Sequence, residues 1–251
     1  MSDKPNTVYV YDGSFDGFLC AIFAAFEERP RDIASEYGYQ PMFFDKVKTI
    51  ETDPVKSERV ITGINKKLGN FAYEKIYYAW LSLAPDAAIT AFDWLKLAFK
   101  QGGRIEEMLN DDRVIKINTL VRRVGREGHL LKGFIRFGEL KGGLYFAEIE
   151  PKYNVLPVIM PHFCDRFNSM PFIIHDKSHR MAGVYDTKEW FLTPSDDMKM
   201  PVYTDCEQKY QDLWKTFYDT IGIKERYNPR CRRNLMPKYF WKNMVEVKGE
   251  R

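Results

Sequence analysis

The chain has 251 residues, 45% hydrophobic and 29% charged, with a net charge of +3. That is length enough for a substantial core, and a composition that excludes collagenous, disordered and disulfide-stapled classes. No apolar run reaches membrane-spanning length and the N-terminal MSDKPNTVYVYDG lacks the order of a signal peptide, so the expectation is a cytoplasmic protein without membrane contact. The charge is unevenly placed: residues 224–251 hold nine Lys and Arg against three Glu, a local +6 that leaves −3 for the rest.

Thr7–Tyr11 reads as a strand, Asp12–Gly17 as a turn, and Phe18–Glu27 as a helix with Leu19, Ile22, Phe23 and Phe26 on one face. A strand, a Gly-containing turn and a helix suit an anion, because free N–H groups and the positive dipole end converge there. Asp12, Gly13, Ser14 and Gly17 are therefore phosphate-binding candidates. The loop fits neither dinucleotide nor P-loop spacing and has no lysine, and Asp12, Ser14 and Asp16 also suit turn and N-cap roles. Residues 29–49 read as a polar connection with a short strand around Met42–Phe44. Pro54–Leu68 has helical spacing, and Tyr73–Leu83 and Asp86–Phe99 are apolar nearly all round, as buried helices are. Asp111 or Asp112 can cap the next helix, whose stripe is Val114, Ile117, Leu120, Val121 and Val124.

The stretch from about 129 to 186 predicts a ββαββ unit: a hairpin of Leu131–Phe137 and Leu144–Ile149, an amphipathic helix from Leu156, and a second hairpin of Phe172–His175 and Met181–Tyr185. Thr187–Val202 reads as a surface loop. Thr204 and Glu207 have capping-box spacing ahead of a helix with Cys206, Tyr210, Leu213, Trp214, Phe217 and Ile221 on one face. The predicted class is α+β, a mostly antiparallel sheet packed with several buried helices. One compact body is expected over residues 1–223, with the basic segment 224–251 packed on it.

No zinc, iron–sulfur or other metal spacing is present, and no cofactor motif. Cys20, Cys164, Cys206 and Cys231 are expected to be reduced and mostly buried. His162 and Arg166 share a helix side, and with His129 they are the catalytic candidates; Arg136, His175, Asp176, His179 and Arg180 belong to the same unit. At the carboxyl end Arg226, Arg230, Arg232, Arg233, Lys238 and Lys242 alternate with aromatics including Trp241, a mixture suited to phosphates and exposed bases.

Four ordered blocks, YDGSFDGFLCAIFAAF, VGREGHLLKGFIRF, PHFCDRF and RYNPRCRRNLMPKYFWKNMVE, resemble the bacterial family named probable DNA metabolism protein. Similar domains are fused to uracil-DNA glycosylase-like domains, and standalone members are encoded beside a radical SAM protein assigned to DNA repair. This sequence ends at Arg251, so no glycosylase domain is expected in it. The resemblance implies a DNA-metabolism role with the radical SAM protein as partner, and DNA as a further one, but supplies no reaction. Three functions stay open: an accessory protein binding nucleic acid or a repair partner, an enzyme acting on a nucleotide or modified base through the Asp12–Gly17 turn and the central His and Arg residues, and a docking module without nucleic-acid contact.

Overall fold

The computed structural model describes residues 6–196 and 202–247, and the chain divides into two compact units, Met1–Gly125 and Arg126–Arg251. In the first, β1 (Thr7–Tyr11) is the middle strand of a parallel sheet, flanked by β2 (Asp32–Ser35) and β3 (Lys46–Thr49). Parallel neighbours need a crossover, and α1 (Phe15–Glu27) provides the one between β1 and β2. The predicted strand at Met42–Phe44 does not form: the chain turns there, and all three side chains are exposed. The strands on either side are only four residues long and mostly polar, so neither shows the apolar alternation that marks a strand.

α2 (Pro54–Lys67), α3 (Asn70–Leu81) and α4 (Ala87–Gln101) follow as expected. Tyr9, Ile33, Phe18, Leu19, Ile76, Phe92, Trp94 and Leu95 fill the core between them. Tyr9 can sit fully buried because its hydroxyl donates to the Glu28 carbonyl at 3.0 Å.

α5 spans Asp112–Phe134, eight residues beyond Arg126. The predicted strand Leu131–Phe137 is thus largely helix. Leu120, Val124, Glu127, Gly128, Leu131 and Ile135 are all buried, a row with helical spacing that runs through the supposed strand start. The second unit's sheet has the order β4 (Gly138–Glu139), β5 (Tyr145–Ile149), β6 (Phe172–Asp176), β7 (Met181–Tyr185), β8 (Trp190–Pro194). Every pair is antiparallel except β5 with β6, and α6 (Leu156–Arg166) is the crossover this exception requires. The class is α+β with a mostly antiparallel sheet, as predicted. β8 occupies part of the expected surface loop, and residues 197–201 of that loop lie outside the described ones. Phe146, Ile149, Ile159, Met160, Phe163, Phe172, Ile174 and Tyr185 are buried in this unit.

α7 (Asp205–Ile221), α8 (Pro229–Leu235) and short 3₁₀ turns at Lys224–Arg226 and Lys238–Asn243 complete the unit. Phe240, Trp241, Met244 and Val247 are buried, so the described part of the basic segment packs within the second unit. Of the cysteines Cys20 is buried and Cys164 partly so, but Cys206 and Cys231 are exposed, against expectation. Cys206 lies on α7, whose apolar face points outward, and α8 has no buried residue. No described helix is long and apolar enough to cross a membrane.

Candidate functional site

The expected Asp12–Gly17 turn is shorter than predicted: Asp12–Ser14 form it, and α1 begins at Phe15 and not at Phe18, capped by Ser14. Ser14 is extended (φ −67°, ψ 159°) and its Oγ accepts from Gly17 N at 2.9 Å, satisfying one of the free amides of α1. Ser14 N and Oγ both donate to Asp12 Oδ1, at 3.0 and 2.6 Å, and Thr52 Oγ1 donates to Asp12 Oδ2 at 2.8 Å. Gly17 is required by this closeness, since a Cβ on it would lie 2.2 Å from Asp12 Oδ1. Burial pushes the Asp12 carboxyl up, but the bonds from Ser14 and Thr52 outweigh it and hold the group below its ordinary value. The four phosphate-binding candidates are brought together, around an anion that the protein itself supplies. A phosphate here would meet a like charge.

The catalytic candidates His129, His162 and Arg166 belong to the second unit, the turn to the first. His129 is exposed on α5 and Arg166 is exposed on α6. Burial lowers the His162 imidazole, and Lys132 and Arg166 lower it further against the opposing charge of Asp165. His162 is therefore neutral over a wider range than a free histidine and has two cations for company. Asp176 is fully buried and spends Oδ1 on the Ser178 and His179 amides and Oδ2 on His179 Nδ1 at 2.7 Å, closing the β6–β7 turn. His175 Nδ1 is 3.8 Å from Glu148, and exposed Arg180 pairs with Asp196 at 3.4 Å. Among the described residues no three His, Cys, Asp or Glu gather as a metal set.

The basic segment splits by role. Arg226, Arg230 and Arg233 are exposed, and Arg233 Nε donates to the Pro229 carbonyl at 3.2 Å. Arg232 lies over the rings of Trp241 and Tyr218, 4.7 and 5.8 Å from their centroids. Lys238 is exposed and also lies over Trp241, at 5.5 Å, while Lys242 pairs with Glu150 at 2.9 Å. Trp241 corrects an expectation: only 7% exposed, with Nε1 donating to the Met236 carbonyl, it has no ring face left for a base. It is buried because it anchors the segment, holding two of the cations against the body.

α7 carries the feature that its sequence pattern failed to convey. Thr204 caps it, with Oγ1 accepting from Glu207 N at 3.3 Å, but Glu207 does not return the bond as a capping box would. Its carboxylate accepts instead from Glu139 N at 3.0 Å and from Gln211 Nε2 at 2.8 Å. The inward row of α7 is thus Glu207, Gln211, Trp214 and Tyr218, with Trp214 still 41% exposed, and the apolar residues Tyr210, Leu213, Phe217 and Ile221 are exposed. Ile223, Tyr227 and Leu235 extend exposed apolar surface toward the arginines. Arg136 braces the base of this face: it stacks on Trp214 and binds Glu246 through Nη2 and Nε at 2.5 and 3.1 Å.

Over residues 85–246 the chain matches the family described as a domain of unknown function, DUF4130, and it belongs to that family. The matched span includes α6, the five-stranded sheet, α7 and the exposed arginines, and begins after the Asp12–Gly17 turn. No curated protein matches the chain.

Proposed function

We propose that this chain is an accessory protein of DNA metabolism whose second unit docks a protein partner on the outward face of α7. The observation that carries this reading is the inversion of that helix, with Glu207 and Gln211 inward and four large apolar residues, Tyr210, Leu213, Phe217 and Ile221, in water. A monomer's own folding would bury such a stripe, and a contiguous exposed one marks an interaction surface. Arg226, Arg230 and Arg233 follow at its carboxyl end, so the matching partner is an amphipathic helix with carboxylates beside its apolar face. The sequence resemblance makes the radical SAM protein encoded beside family members the partner to test.

Titration of that purified protein with the full chain is expected to give saturable binding. Leu213→Asp with Phe217→Asp should weaken it at least about tenfold, or ~1.4 kcal/mol. Unchanged affinity in that variant overturns the reading. A second reading, direct DNA binding, rests on the exposed guanidinium groups of Arg226, Arg230 and Arg233 beside exposed Tyr227. In its favour would be duplex affinity that falls steeply with salt and flattens in Arg226→Gln/Arg230→Gln/Arg233→Gln, with the α7 variant unaffected.

A further inference from the structure

The carboxyl edge of the three-stranded sheet has two sides. Since β1 lies between β2 and β3, the loop after it has a neighbouring loop on each flank, and such edges are where open parallel sheets take ligands. Toward β3 the edge is closed by the Thr52–Asp12 hydrogen bond. Toward β2 it opens into a cavity of about 320 Å³, lined by Tyr11, Gly13, Ser35, Tyr37, Trp80 and the small side chains at the start of α4. That volume lies at the low end for small-ligand sites.

The walls specify what fits. Trp80 is fixed by its Nε1 donating to the Gly13 carbonyl at 3.1 Å and by the rings of Phe15 and Tyr77 at 5.3 and 5.7 Å. Gly13 has φ +82°, and a Cβ on it would come within 2.8 Å of the Tyr37 ring, so only glycine lets that ring lie over the turn. Tyr37 is 84% exposed, an aromatic spread over a cleft mouth with no core to fill. Ala34, Ala84, Ala87 and Ala88 contribute small side chains to the lining, together with Leu83 and Pro85. Ser35 Oγ accepts from Tyr37 N at 3.4 Å and keeps its proton to donate, and the first turn of α4, whose Ala87 amide bonds the Ala84 carbonyl, has no side-chain cap. Among the described residues no lysine, arginine or carboxylate lines the cavity.

We propose that this cavity binds an uncharged planar heterocycle, a nucleobase or nucleoside without phosphate, stacked between Tyr37 and Trp80 with its acceptor edge toward Ser35 and α4. Aromatic walls supply stacking to any base, and a lining without a basic side chain has nothing to neutralise the charge of a phosphorylated form. This site is independent of the α7 face and does not require a partner protein.

The test titrates the full chain with adenosine, guanosine, cytidine and uridine, and in parallel with their 5′-monophosphates, following the Trp80 indole NH by NMR. Saturable binding of at least one nucleoside at about 5 mM or tighter is expected, with its monophosphate at least about tenfold weaker. Tyr37→Ala, at an exposed position that cannot disturb the core, should weaken binding at least about fivefold with an unchanged melting temperature. Ala88→Leu should abolish binding by filling the cavity, its fold checked by circular dichroism. The proposal is overturned if no nucleoside saturates, if the monophosphates bind as tightly, or if Tyr37→Ala binds as the parent does.

Discussion

Glu246 has a side chain only 2% exposed, and its charge is tolerable because Arg136 meets it with two guanidinium nitrogens. Burial pushes the Glu246 carboxyl up, but the Arg136 bonds outweigh this and hold it below the ordinary glutamate value. A depressed folded-state value gives stability that is fully present above the unfolded value, ~4.3, and lost as pH falls through the folded one. Thermal melts of the parent should therefore decline on acidification below about pH 4. Arg136→Met leaves the buried carboxylate without its cation and with only the Trp214 side chain as a polar partner, at a cost of about 3 kcal/mol at neutral pH. Its Glu246 then titrates high, so acidification toward pH 5 should recover part of that loss in the variant but not in the parent. Melting temperature against pH for both proteins checks the sign, and parallel curves would remove the ion pair from the account.

α7 separates two roles that helical patterning treats as one. Glu207→Ala removes the acceptor of the Glu139 amide and should cost about 1–3 kcal/mol in urea unfolding. Phe217→Gln, on the 50% exposed stripe, should stay within about 0.5 kcal/mol of the parent. A large loss in Phe217→Gln would mean that the stripe serves the fold. The periodicity of α7 was readable from the sequence, but its orientation was not: a moment gives the direction of an apolar face and never says which protein covers it. Leu131 and Ile135 show another limit. Residues four apart share a side under both the strand and the helix period, so a seven-residue window cannot decide between them. The buried row that begins at Leu120 decides it. Trp190–Pro194 was hidden by a neighbourhood of turn residues, though its pairing with β7 makes it an ordinary edge strand. A turn after β1 was legible, as was Ser14 as a capping residue, because both depend on neighbours within a few residues, although the helix begins at Phe15 and not at Phe18. The cavity beside it was not, since Ser35, Tyr37 and Trp80 join it only through the fold.

On the scale of the molecule, each unit has its own apolar interior, one around Trp94 and the parallel strands, the other between α6 and the five-stranded sheet. Phe172 is fully buried against Phe137, Phe167 and Tyr185. Phe172→Ala should cost about 3–5 kcal/mol. Hydrogen exchange is expected to show that loss as faster exchange across β5–β8, with β1–β3 protected as before. Equal acceleration in both sheets would mean that the two interiors open together. Glu127, at the beginning of the second unit, accepts from the Lys152 and Tyr153 amides and from the Tyr239 hydroxyl. Three segments far apart in the chain are thus gathered on one carboxylate. A nick or truncation just ahead of Tyr239 would do more than shorten a tail: it would strip one donor from a sequestered anion and the lid from its greasy surroundings, turning a neat clasp into a wound that quality-control proteases recognise.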